Sequence, residues 1–253
     1  MFETNLPIKA SSFCLVCFPF AGAGASFFKP WNANVDGWLK IYAVQMPGRE
    51  KRFNEEPYRN VKQAINAMLP EILGDVREKR QLIVFGHSMG AILAYEFAKH
   101  LYKISNSSVA SLIVSGSTAP WGQREKKATG LDDDAFIRRV EEFAGYRHPA
   151  LEDPEMRELL LPMLRADVEM HEKYAPDDQK KLPIPTIAVR GVGDELVSLR
   201  QIEEWSDITS SSFYTKEFQG GHMYLAENYA QLIDFIKEAV QWQGAEVDDA
   251  TIG

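Results

Sequence analysis

A chain of 253 residues, 45% hydrophobic and 25% charged, has the make-up of an ordinary globular protein, which excludes a mainly disordered or collagen-like polymer. That length can bury one large core, so a single domain over residues 1–253 is expected. A formal charge of −8 disfavours broad nucleic-acid binding, because phosphate recognition needs a basic face.

The start, Met1 to Pro7, lacks a basic run followed by an apolar stretch, and no later window reaches the roughly 18 apolar residues of a membrane span. A soluble, cytoplasmic chain that does not engage a membrane is expected. The first predicted strand, Phe13 to Phe18, carries both cysteines, Cys14 and Cys17. Their C-x-x-C spacing is that of a redox pair or half a zinc site. Residues three apart on a strand point to opposite faces, however, and no further ligand-spaced cysteines follow, so two core thiols are expected.

The loop after this strand reads Phe18-Pro19-Phe20-Ala21-Gly22-Ala23-Gly24-Ala25-Ser26. Its small residues let the backbone approach a ligand. A dinucleotide-binding turn is disfavoured because Phe27 occupies the third glycine position, and the next strand, Ile41 to Gln45, does not end in an acidic ribose ligand. Arg49, Lys51 and Arg52, then Arg124, Lys126 and Lys127, are local basic clusters open to an acidic protein partner, although such runs are more often plain solvated surface.

Further predicted strands are Leu82 to Phe85, Ser111 to Ser115, Thr186 to Arg190 and Phe213 to Phe218. Apolar residues recur at helical spacing in Val61 to Val76, Met89 to Leu101, Leu199 to Trp205 and Tyr224 to Trp242. The alternation predicts an α/β fold with a mostly parallel central sheet flanked by crossover helices. From about 120 to 183 the rhythm breaks into polar and amphipathic helical sequence, which reads as an inserted helical lid. Within it Leu159, Leu160, Met163, Leu164 and Val168 form one apolar helix face. That face either packs on the core or lines an acyl-chain pocket under a movable lid. The tail from Gly244 to Gly253 is expected to fray.

The chemistry centres on a buried strand, then Gly86-His87-Ser88-Met89-Gly90, then a helix. A serine on so sharp a strand-to-helix turn needs glycine on either side, and the turn lifts its hydroxyl clear of the sheet edge. The Met89 amide and the positive helix end then face charge developing on a substrate oxygen. Serine needs a general base, and in a hydrolase of this architecture the order is serine, carboxylate, histidine. Of five histidines only His222 lies late enough. His87 is the variable position of the elbow, His100 sits late in a helix, and His148 and His171 belong to the lid. Asp194, in the turn after the strand ending at Arg190, is the preferred carboxylate, with Glu195 its rival and a plain turn or capping role the alternative. The Ala21 amide is the candidate second oxyanion donor. No metal site is predicted, because neither H-E-x-x-H nor a ligand-spaced carboxylate cluster occurs.

Phe18-Pro19-Phe20-Ala21-Gly22, Pro47-Gly48-Arg49, Gly86-His87-Ser88-Met89-Gly90, Leu161-Pro162-Met163-Leu164-Arg165-Ala166-Asp167 and Gly220-Gly221-His222-Met223 together resemble the type II thioesterases. These stand-alone enzymes of the α/β-hydrolase superfamily accompany nonribosomal peptide and polyketide synthases. The resemblance runs from about Phe13 to Trp242. It implies an editing hydrolase, without a cofactor of its own, that removes aberrant or stalled acyl groups from the phosphopantetheine arm of acyl- or peptidyl-carrier domains; a monomer is expected. Ser88, Asp194 and His222 then form the triad, with Ala21 and Met89 as oxyanion donors; Ala23 departs from the family in standing where many members have glycine. The elbow chemistry is shared with carboxylesterases and lipases acting on free small esters. A catalytically idle hydrolase-fold binding protein is the alternative of another class.

Overall fold

Runs rich in β-branched and aromatic residues form six strands, and the amphipathic runs between them form the helices. The computed structural model describes residues 13–35, 37–76, 81–105, 109–122, 126–145 and 149–250. Arg124, His148 and the last three residues of the tail lie outside the described residues. In chain order the elements are β1 (Phe13–Phe18), β2 (Leu39–Ala43), α1 (Val61–Asp75), β3 (Gln81–His87), α2 (Met89–Ser105), β4 (Val109–Ser115), α3 (Asp133–Ala144), α4 (Pro154–Glu172), β5 (Thr186–Gly191), α5 (Leu199–Glu203), β6 (Phe213–Phe218) and α6 (Tyr229–Ala250).

The strands lie in the order β2-β1-β3-β4-β5-β6, and every described pairing is parallel. Strand order therefore reverses between β1 and β3, and it is outside the carboxyl ends of such strands that an open parallel sheet leaves a crevice for ligands. The β1 loop and the elbow after β3 both open into it.

Both sheet faces are covered. Val16, Phe18, Val84, Leu112 and Ala188 pack with α1 and α2 on one side. Leu15, Cys17, Ile83, Phe85, Ile187 and Val189 pack on the other with Leu232, Ile233 and Ile236 of α6 and with Phe28 and Trp31 of the 3-10 segment Ala25–Asn34. Burying a Leu, Ile or Phe side chain contributes roughly 1.5–3 kcal/mol, and a one-residue slip would exchange the faces, so the alternation pins the register. Cys14 falls in the first cluster and Cys17 in the second, on opposite faces as expected. Between β4 and β5 the described residues form no strand; α3 and α4 share a smaller cluster of Phe136, Ile137, Leu151, Leu161, Leu164 and Val168.

Three differences from the sequence reading have a clear physical reason. Strand β2 begins at Leu39 because Phe13 to Cys17 pair with Leu39 to Ala43, and the chain then peels away toward Pro47. The last helical run is broken: a 3-10 turn at Tyr224–Ala226 precedes α6, and the Asn228 side chain donates to Gln219 O (2.9 Å) and Tyr224 O (3.2 Å) at the break. Beyond it α6 continues to Ala250 where a frayed tail was expected, because each residue added to a formed helix gains a hydrogen bond, and Ala245, Glu246 and Ala250 favour helix. On α4, Leu159 is exposed, whereas Met163, Leu164 and Val168 are buried and Leu160 is half-buried.

Candidate active site

The elbow is held by contacts that leave no room for a side chain on its flanks. A Cβ on Gly86 would lie 1.9 Å from the Gly90 carbonyl oxygen, and one on Gly90 would lie 2.3 Å from the Phe18 carbonyl oxygen. Ser88 between them has φ +53°, a left-handed conformation rare for a residue with a side chain. Its strain, roughly 1–3 kcal/mol, is borne by the sheet: Ser88 N–H donates to Ser115 O at 2.8 Å, and Ala91 N–H donates to Ser88 O at 3.0 Å. The Gly90 contact also presses the loop after β1 against the first turn of α2. Neither the Ala21 nor the Met89 amide donates to another group among the described residues. Ala21 lines the cavity, as does Ser88, and Met89 next to it is buried.

The other two candidates arrive on loops that zip together as they leave β5 and β6. Val192 N–H donates to Phe218 O (2.8 Å) and Gly193 N–H to Gly220 O (2.9 Å). The backbones approach so closely that a Cβ on Gly191 would lie 2.2 Å from Gly221 O. Across this seam Asp194 Oδ2 lies 2.9 Å from His222 Nδ1. The other carboxylate oxygen, Oδ1, accepts Leu196 N–H (2.9 Å) and Val197 N–H (3.1 Å), which fixes the plane of the group. Burial pushes the Asp194 carboxyl up, but its hydrogen bond and charge interaction with His222, with the two amides, outweigh this and hold it below the usual carboxylate range. Glu195 is exposed and makes no such contact. Among the other histidines, His171 on α4 lines the cavities and His100 does not.

Two cavities meet at Ser88 and His222. One, of 390 Å³, is walled by Phe20, Phe27, Phe143, Leu151, Leu160 and Leu164, so an apolar chain fits it. The other, of 510 Å³, is more polar, with Ser117, Thr118, Lys126, Arg190 and Gln201 in its wall. Among the described residues no group of three metal-ligating side chains occurs, and no helix is long and apolar enough to cross a membrane.

Two features escaped the sequence reading. His87 is wholly buried, with its ring 4.8 Å from that of His222 and its Nδ1 2.9 Å from Ser115 Oγ, which is itself 2.9 Å from the Tyr224 hydroxyl. Burial first, and the neighbouring His222 second, push its pKa well below the ordinary histidine value, so it stands there as neutral imidazole. Its place beside Ser88 in the motif was the available signal. Arg49, read as part of a surface basic cluster, is instead buried and ion-paired to Asp167 of α4 at 2.7 Å. Nothing local in the sequence marks a pair so far apart. Of its neighbours, Arg52 is bound to Glu55, while Lys51, like Lys126 and Lys127 of the second cluster, is exposed.

Comparison with known proteins agrees with this architecture. Residues 13–240 match the model of a thioesterase domain. The chain is 32% identical over 229 residues to the gramicidin S biosynthesis protein GrsT of Aneurinibacillus migulanus, covering 90% of this chain and 89% of that protein. It is 32% identical over 232 residues to the thioesterase PikA5 of Streptomyces venezuelae, covering 92% and 82%. Among solved structures, YbtT, a type II thioesterase from the yersiniabactin NRPS/PKS pathway, superposes with a TM-score of 0.83 at 28% identity, covering 93% of this chain and 95% of that one. The α/β-hydrolase fold expected from the sequence is the fold these proteins share.

Proposed function

This chain belongs to the thioesterase family, and from that premise we propose that it hydrolyses acyl thioesters carried on the phosphopantetheine arm of carrier proteins, as an editing enzyme for a nonribosomal peptide or polyketide synthase. The observation that carries the reading is the Asp194–His222 bond at the same cavity mouth as the strained Ser88. The synthase's acyl- or peptidyl-carrier domain is the macromolecular partner, and the reaction belongs in the cytoplasm. The segment 120–183 acts as a lid over the acyl chain.

In this mechanism Ser88 Oγ attacks the thioester carbonyl carbon while His222 Nε2 takes its proton. Asp194 holds the imidazole by Nδ1 and stabilises the imidazolium. The amides of Ala21 and Met89 receive the oxyanion, helped by the N-terminal end of α2. Collapse breaks the carbon–sulfur bond, and the departing sulfur takes the proton from His222. Water then loses a proton to His222 and attacks the acyl-serine, releasing the acid and returning the proton to Ser88. Every step uses side chains and amides of the chain itself, so no cofactor is required. The apolar 390 Å³ cavity favours this substrate over small polar esters, because it receives a hydrocarbon chain rather than a compact alcohol ester.

Intact-protein mass spectrometry of acyl-loaded carrier proteins tests the reading. The native protein should unload them, and Ser88→Ala should lower the rate by at least about 10,000-fold. Unchanged activity in Ser88→Ala, or turnover of alcohol esters without turnover of any carrier thioester, would refute it.

A further inference from the structure

The loop from Phe20 to Gly24 brings Ala21 to the cavity wall, yet Ala21, Gly22, Ala23 and Gly24 have almost no side chain by which the loop could anchor itself. Internally, Ala23 N–H donates to Phe20 O at 3.0 Å and Gly22 takes φ +83°, a turn with a left-handed third residue. The rest of its support comes from outside. Asp167 Oδ2 on α4 accepts Gly22 N–H at 2.8 Å, and Arg49 Nη1 donates to Ala23 O at 3.0 Å.

The two side chains are themselves locked. They form a two-pronged ion pair, Nη1 to Oδ2 and Nη2 to Oδ1, each 2.7 Å, with 5% of the Arg49 side chain and 1% of Asp167 exposed. Arg49 Nε adds a bond to Pro47 O at 3.2 Å. A pair this buried is a poor source of stability, because desolvation offsets most of the attraction and apolar residues of similar volume often serve as well. What it gives that apolar packing cannot is direction: a carboxylate committed to Gly22 N–H and a guanidinium committed to Ala23 O fix the orientation of two peptide groups beside Ala21.

We propose that Arg49 and Asp167 are a positioning pair that sets the Ala21 amide at the distance and angle the oxyanion requires, an inference that rests on the oxyanion role given to Ala21 above. Neither residue touches the reacting atoms; both act through the loop backbone.

The test compares native protein with Asp167→Asn and with the double variant Arg49→Met/Asp167→Leu, which removes both charges together. Each is assayed with an acyl thioester and with an aryl ester, which reports the oxyanion site whatever the natural leaving group. Affinity is measured for a trifluoromethyl ketone, which forms a tetrahedral adduct on serine, and for a thioether analogue lacking the carbonyl. The expected result is a fall in kcat of about 100-fold in both variants, the effect of a small misplacement of one donor. The ketone's affinity should fall in parallel, while KM and the thioether's affinity stay within about twofold. The double variant should melt at or above the native temperature, and it carries the test if Asp167→Asn fails to fold. Arg49→Lys, which keeps the charge and gives up the fork, is read in the same way if both fail. A folded variant with native kcat, or one that loses only KM and thioether binding, overturns the proposal. Native protein that turns over the aryl ester but no carrier thioester would refute the proposed substrate and still decide the role of the pair.

Discussion

Asp194 and His222 stand on two loops that leave neighbouring strands and bond to one another through their own backbones, whereas Ala21 stands on a loop held by a carboxylate from α4, beyond the sheet. The first arrangement needs only the ends of β5 and β6. The second depends on the segment between β4 and β5, whose α4 also supplies Leu160, Met163 and Leu164 to the acyl cavity. In the proposed mechanism, proton handling is thus built into the sheet, while the apolar cavity is walled by helices that lie between β4 and β5. Changes on the first side, like loss of the support for Ala21, should affect every substrate alike, whereas changes in the apolar cavity wall on the second should depend on the acyl chain.

Replacing Asp194 by Asn is the strongest way to press this contrast. It keeps the shape but removes the charge that holds the imidazole, and kcat should fall by about 10,000-fold. Steady-state assays with acetyl and octanoyl thioesters should show the same factor for both, and Glu195→Gln should leave both unchanged. A chain-length dependence in Asp194→Asn would break the division. Leu160→Trp should cost much less and act on the other side. By filling the apolar cavity it should lower kcat/KM for the octanoyl substrate about tenfold and leave the acetyl substrate within about twofold.

The smallest effect sharpens the proton side. His87 is buried and neutral, its folded pKa pushed below the ordinary value first by burial and then by His222. An unfolded chain binds a proton at this residue near pH 6.5. Above that pH neither state carries the charge and nothing is lost. As pH falls below it the unfolded state gains the proton first, so native stability should decline by at most about 1.4 kcal/mol per pH unit until the folded pKa is reached. Asp194 titrates in a separate window: its folded pKa is lowered, so the stability it contributes is present above the unfolded value of about 4 and is lost as pH falls through the folded one. Urea unfolding of native protein and His87→Asn between pH 4.5 and 7.5 should therefore show a shallower slope in the variant.

Much of this site was legible because its constraints are local. Gly86 is demanded by the Gly90 carbonyl four residues on, and Asp194 and His222 follow from strand ends and chain order. Periodicity gave the six strands because each face of the sheet must be apolar. It was less informative on α4, where a residue such as Leu159 is apolar without being covered. The Arg49–Asp167 pair was out of reach for a different reason. Each residue looks like a surface charge by itself, and only the packing of α4 against the loops after β1 and β2 removes both from water. His87 was passed over because its meaning lies in the tilted ring packed against it, which comes from the far end of the chain.

The placing of Cys14 and Cys17 on opposite faces of β1 suits an enzyme whose leaving group is a mercaptan. Both sulfurs are buried, and burial holds the Cys17 thiol well above its ordinary pKa, so little nucleophilic thiolate is present. A liberated pantetheine sulfhydryl finds no disulfide among the described residues to exchange with and no accessible sulfur with which to form a mixed one. The protein can release one thiol after another without being modified by its own product.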